Sequence, residues 1–166
     1  MTGKQHVAIG IVASVFATSY VTFGGDTNVK ELLTMDGCII LGSLLPDIDH
    51  PSSILGQNFK LLSKIVNKFL GDHRGATHDF MWVVVLSVIS CLFWKPWHGL
   101  FVGISIHILA DAFCVGGVPF FWIVNKKKRY RLAPKFMCCK CGSFYSYIIT
   151  ASMCAGILKL ASLLWR

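Results

Sequence analysis

The residues able to do chemistry fall in short polar islands set in a very apolar chain: His6, then Leu45-Pro46-Asp47-Ile48-Asp49-His50-Pro51, then His73-Arg74-Gly75-Ala76-Thr77-His78, then His107 with Asp111. They hold five of the six histidines and three of the eight acidic residues. Imidazole and carboxylate at close spacing suit a borderline-to-hard divalent cation. The islands read as a metal site at the edge of a membrane.

Each island carries its own argument. Pro46 and Pro51 bracket a stiff segment in which two carboxylates and an imidazole arrive at the end of an apolar helix, an expensive grouping unless a cation neutralises it. Helix capping by Asp47 would account for one of the three groups and leave Asp49 and His50 over. In the 73–78 island, Thr77 is placed to hold a ligand's second nitrogen or a carboxylate, and Arg74 offers a fixed fork of donors to a phosphate or carboxylate. His107 and Asp111 project from one helical face inside an apolar run, where an ionisable pair is functional by default. The bland alternative for that pair is a hydrogen bond joining helices. Gly116-Gly117 should break the helix soon afterwards. His6 gains weight only from this company, and His98, beside Lys95 and Trp97 on the expected opposite side, is excluded.

The elements that position these groups are helices. With 54% hydrophobic and 14% charged residues and a mean hydropathy of +0.61, water cannot be the only solvent of this chain. Its length suits one domain, 1–166. Apolar runs cover 7–23, 32–45, 80–94, 99–124 and 144–165. Only the last two reach the roughly 20 residues that cross hydrocarbon comfortably, and Asp36 and Gly37 interrupt the second. The expected class is all-α: a multi-helix integral membrane protein with a metal site between helices. A soluble protein with deeply buried helices is the alternative. The first run also resembles a signal peptide but, lacking a cleavage site followed by a polar domain, is expected to be retained.

Segment 58–70 spaces Lys60, Lys64 and Lys68 by four residues against Phe59, Leu62, Ile65, Val66 and Phe69. That is an amphipathic helix suited to an anionic surface, ended by Gly71, with Asp72 placed to cap a turn beginning at His73. Between the last two runs stand Lys126, Lys127, Lys128, Arg129, Arg131, Lys135 and Lys140 with no acid among them, so most of the net charge of +8 sits there. The positive-inside tendency makes this loop cytoplasmic, and if every run crosses once, counting back puts His6 and the segment from Asp47 to Asp79 on the same side. Lipid contact explains the basic loop better than nucleic acid, because no folded nucleic-acid module surrounds it. Trp94, Trp97, Trp122 and Tyr130 flank the runs as interfacial aromatics do. Cys38, Cys91, Cys114 and Cys154 read as core residues; Cys138, Cys139 and Cys141 could bind zinc or oxidise but lack a fourth ligand.

Taken together, a histidine before an apolar helix, Leu-Pro-Asp-Ile-Asp-His-Pro-x-Ser at 45–53, His-Arg-Gly-x-Thr-His at 73–78, His-x-x-x-Asp at 107–111 and Gly-Val-Pro with an aromatic and basic tail at 117–131 resemble the YdjM-like family of LexA-regulated, membrane-bound, metal-dependent hydrolases. The resemblance covers roughly 1–135. It implies an integral, inner-membrane hydrolase whose metal site is built from the islands. The His-x-x-x-Asp is also similar to a piece of the zinc-dependent phospholipase C and P1-type nuclease group. Asp79 stands where a serine is expected, so no role passes to it.

The resulting expectation is a divalent metal, zinc first and manganese or iron as substitutes, in one or two ions. Its ligands are drawn from His6, Asp47, Asp49, His50, His73, His78, His107 and Asp111. Asp49 is the candidate bridging ligand or general base, and Arg74 orients the substrate anion. At a bilayer surface the natural substrate is a phospholipid or other lipid-linked phosphoester. The competing reading is a non-enzymatic membrane protein with a structural or transport metal site.

Overall fold

The computed structural model of the chain describes residues 1–23, 28–70, 74–92 and 95–164. Among them are seven helices: α1 (Gly3–Phe23), α2 (Val29–Gly42), α3 (Ile54–Asn58), α4 (Lys60–Leu70), α5 (Met81–Leu92), α6 (Gly99–Ala112) and α7 (Phe144–Leu164). Short 3-10 turns cover Leu45–Asp49, Ala76–His78, Pro96–His98 and Lys135–Met137. Two strands of two residues, β1 (Val118–Pro119) and β2 (Arg129–Tyr130), pair antiparallel with Val118 opposite Tyr130. Gly71, Asp72, His73 and Trp94 lie outside the described residues, and with them the expected helix stop, its neighbouring cap, the first histidine of the 73–78 island and one interfacial aromatic.

The central packing is α2 against α6, with α1 on α2, α7 on α1 and α5 on the far side of α6. Small residues make the first contact close. A Cβ added to Gly42 would collide with the Leu100 carbonyl oxygen, and one on Gly103 would collide with the Ile39 carbonyl oxygen. Where lipid tails are as apolar as leucine, such backbone-to-backbone approach is what holds helices together. Asp36, expected to interrupt the second run, leaves α2 intact because it accepts a hydrogen bond from the Thr18 hydroxyl on α1.

The fourth apolar run is not one helix. α6 stops at Ala112, where the Phe113 N–H turns back to the carbonyls of Ala110 and Asp111. The chain then reverses at Gly117, whose φ of +62° suits glycine, and Val115 bonds to the Cys139 carbonyl instead of continuing the helix. At about 1.5 Å per residue, α5 and α6 measure about 18 and 21 Å, short of the roughly 30 Å of hydrocarbon. Within α7, Phe144–Leu163 is long and apolar enough to cross a membrane.

Burial takes in ionisable side chains along with apolar ones such as Ile9, Ile39 and Ile108. The fully buried set includes His6, Asp49, His78, His98, His107 and Asp111, while Val15, Leu41, Val88 and Leu163 are each more than half exposed. Placing charge inside and large apolar side chains outside suits a hydrocarbon exterior. α4 begins two residues later than expected, because Phe59 caps α3. It presents Lys60, Lys64 and Lys68 to the outside together with Leu61, Ile65 and Phe69.

Candidate metal centre

Four segments converge on one buried point. The Leu45–Asp49 turn starts with a proline that fits its first positions and carries Asp47, 7% exposed, and Asp49, fully buried. The Ala76–His78 turn packs against it and supplies His78. α6 supplies His107 and Asp111, one helical turn apart, and the first turn of α1 supplies His6. The glycine seam matters here: it sets the end of α2 so that the Ser43 carbonyl meets His107 Nδ1 at 2.6 Å.

That contact fixes a tautomer. A carbonyl only accepts, so His107 Nδ1 carries the proton and Nε2 presents a lone pair. The same logic holds at His78. The single proton of the Thr77 hydroxyl goes to Asp49 Oδ2, so toward His78 Nδ1, 3.0 Å away, that hydroxyl can only accept. His78 Nδ1 is therefore the protonated nitrogen, and its Nε2 also faces inward. The two Nε2 atoms stand 3.1 Å apart, and Asp47 Oδ1 lies 3.4 Å from one and 3.5 Å from the other. Three electron-rich atoms this close require a shared positive charge.

In the metal-free protein a proton supplies it. Burial opposes the charged form of His78, but hydrogen bonds with Asp47 and Asp49 and the field of Asp111 outweigh this and push its pKa up to about 9. Asp47 is held well below the usual carboxylate range by its two histidine neighbours, against the opposing effect of burial.

The residues also fit a metal ion. Zinc bonds of about 2.0–2.1 Å at the tetrahedral angle put neighbouring ligand atoms about 3.3 Å apart, and the edges of the triangle are 3.1, 3.4 and 3.5 Å. His6 supplies a second sign. It is 1% exposed and stacked on His107 at 3.6 Å between ring centroids; its Nε2 lies 3.4 Å from Asp111 Oδ1, and its Nδ1 has no hydrogen-bond partner among the described residues. A buried polar group left so costs about 1–3 kcal/mol, and coordination would satisfy it. His6, His107 and Asp111 form one metal-capable group; Asp47, His78 and His107 form the other. Since His107 has one free nitrogen, the two groups are parts of a single centre.

Asp111 collects cations. Its carboxylate accepts the Met1 ammonium, lies 3.4 Å from His6 Nε2 and pairs with Arg74 Nη2 at 2.9 Å. Arg74 is itself buried and has a φ of +65°, a strained value for a non-glycine residue. Its backbone N–H on Asp49 and its carbonyl, which accepts from Arg129, hold it there.

The expected ligands thus divide. His6, Asp47, His78, His107 and Asp111 come together. Asp49 does not take the bridging place: it stands behind His78, bonded to Thr77 and the Arg74 amide, in the position of a carboxylate that orients a ligand. His50 belongs to neither metal-capable group; it turns to Ser52, whose hydroxyl lies 2.8 Å from Nδ1. His73 is outside the described residues. His98, excluded from sequence, lies at the other end of α6, packed between Trp97 and Phe101. Two contributors were missed. The Ser43 carbonyl leaves no trace in side-chain chemistry. Asp79 accepts from the backbone N–H groups of Met81, Phe121 and Trp122, starting α5 and folding the loop beyond α6; its signal was the ordinary one of an acid just ahead of a helix.

Mostly helical, with a metal-capable centre between its helices and one helix, α7, long and apolar enough to cross a membrane, the chain has the fold class of an α-helical protein. The sequence profile of the YdjM inner membrane protein family matches residues 1–163, and the chain belongs to that family. It is 32% identical over 156 residues to the protein YvsG of Bacillus subtilis (strain 168), covering 92% of this chain and 89% of that one. It is 34% identical over 137 residues to the inner membrane protein YdjM of Escherichia coli (strain K12), and equally to that of Shigella flexneri, covering 74% of this chain and 65% of each of them. No solved structure matches the chain.

Proposed function

We propose that this protein is a multi-pass, inner-membrane, metal-dependent hydrolase that cleaves a phosphoester of a phospholipid or lipid-linked phosphate at the cytoplasmic surface. The observation that carries the reading is the triangle of His78 Nε2, His107 Nε2 and Asp47 Oδ1, with edges matching a tetrahedral zinc site. Those three residues would hold one ion, with His6 and Asp111 alongside, and manganese or iron could replace zinc. The chemistry such an ion would supply there is a bound water of pKa about 7 and neutralisation of the charge growing on a phosphoryl oxygen. The chain does the positioning. Thr77 and Asp49 keep His78 turned inward, and the Ser43 carbonyl does the same for His107. Arg74 balances Asp111, and its Nε, buried and without a partner among the described residues, is the donor left for a substrate anion.

The near-complete burial of the ligands also suits a second reading, a structural ion that ties helices together. Metal content of detergent-purified protein and turnover on a phosphoester panel separate the two. Under the hydrolase reading, His107→Ala and Asp47→Ala each lose metal and turnover, the double variant is no worse than either single one, and His98→Ala keeps its metal. Metal without turnover on any phosphoester, together with a lower melting temperature on chelation, supports the structural ion. Full metal and full turnover in His107→Ala overturn the centre itself.

A further inference from the structure

An open-sided cavity of about 350 Å³ lies between the Leu45–Asp49 turn, α4, the Ala76–His78 turn, α5 and α6. Its size falls in the range of small-ligand pockets, about 300–1,000 Å³. The walls are apolar, with Pro46, Ile48, Val66, Leu70, Leu86 and Ile104 the main contributors. The polar groups at its edge are already engaged: Trp82 Nε1 donates to the Ala76 carbonyl, and the Thr77 hydroxyl donates to Asp49. Nothing on this surface selects a polar ligand.

Its position is informative. Pro46 and Thr77 line the cavity while the next residues, Asp47 and His78, face the metal-capable triangle. Ile104 lines it one helical turn before His107. Cavity and centre thus share a wall. The cover is α4, whose Val66 and Leu70 face the cavity while exposed Lys60, Lys64 and Lys68 would meet an anionic headgroup layer. Leu61, Ile65 and Phe69, exposed on the same helix, suit the acyl boundary below it.

We propose that this cavity receives one hydrocarbon chain of an anionic phospholipid whose phosphate lies at the metal-capable centre. The phosphate end of this assignment rests on the hydrolase reading; the chain end rests on the cavity. An apolar pocket gains by enclosing methylenes, and this one has no unengaged donor or acceptor with which to hold a peptide or a sugar. The lysines of α4 favour an anionic lipid over a neutral one.

The test uses the full-length, metal-loaded protein in phosphatidylcholine vesicles containing phosphatidic acid with a diazirine in one acyl chain, the cross-links being mapped by peptide mass spectrometry. Labels are expected on Leu86, Ile104 or Val66. Leu86→Trp and Ile104→Trp, which fill the cavity, should each lower that labelling by about tenfold, the effect of expelling roughly two methylenes. Metal content and the labelling of lipid-facing Val88 and Leu163 should stay as in the parent. Labels confined to Val88, Leu158 and Leu163, or cavity labels unchanged by both substitutions, overturn the proposal. The map of the unsubstituted protein decides the matter even if a tryptophan variant fails to fold. Turnover of a water-soluble phosphomonoester keeps the two readings apart. Cavity labelling without turnover of any phosphoester removes the hydrolase and leaves the chain site, while turnover without cavity labelling does the reverse.

Discussion

Thr77, expected from the sequence to hold a ligand's second nitrogen or a carboxylate, touches both His78 and Asp49, and the direction of its one proton decides which nitrogen of His78 faces the centre. Thr77→Val should leave Asp49 and His78 Nδ1 facing each other without that hydroxyl. Metal affinity is expected to fall by about 10–100-fold, the usual effect of losing a partner behind a ligand. Thr77→Ser should restore it, and a competition titration with a chelating dye measures both. The proton on His78 also makes the metal-free protein sensitive to pH. Its pKa rises from 6.5 to about 9 on folding. The folded state therefore holds a proton that the unfolded chain releases earlier, and the resulting stabilisation is complete below 6.5 and lost as pH climbs through about 9. Thermal melts of metal-stripped protein should show this decline. Metal-loaded protein should not, since the ion takes the proton's place.

At the scale of elements, the α2–α6 seam decides whether the centre exists. Gly103→Val would put side-chain atoms into the Ile39 carbonyl and the Ser43 amide, both of which already crowd the place of the new Cβ. The helices must separate, at a cost of about 1–3 kcal/mol or more. Because the Ser43 carbonyl would leave His107, metal binding should fall with stability. Gly37 is the contrasting position: it lies mid-helix in α2 with nothing within 4 Å of a new Cβ. Gly37→Ala should be neutral or stabilising by up to about 1 kcal/mol, with metal content unchanged. Chemical denaturation in detergent, paired with metal analysis, measures both variants. If Gly103→Val keeps its metal, the seam does not position His107.

At the scale of the whole molecule, the distribution of positive charge sets the expected sidedness. The basic loop and the metal-capable islands are proposed to share the cytoplasmic face, and Cys141, exposed just after that loop, reports on it. Cys139 does not, being buried against Cys114 at 3.7 Å between sulfurs. A membrane-impermeant maleimide should leave the Cys141 peptide unmodified in intact cells and modify it in inverted vesicles. Modification in intact cells would reverse the topology.

The helical class, the lysine spacing of α4 and the membership of His6, Asp47, His78, His107 and Asp111 in one polar set were legible in the sequence. Each depends on residue type at short spacing: a helix places i and i+4 on one face wherever it lies, and a buried charge demands a partner in any fold. Tertiary structure decided what depends on direction. It placed Asp49 behind His78 instead of on the metal side, turned His50 toward Ser52, and ended α6 at Ala112, a little ahead of the break expected at Gly116-Gly117. It also brought the Ser43 carbonyl to His107 through two glycines that carry no chemistry of their own. Those outcomes were set by backbone approach and by the competition of neighbours for single protons, and neither quantity is a property of one residue or of its spacing.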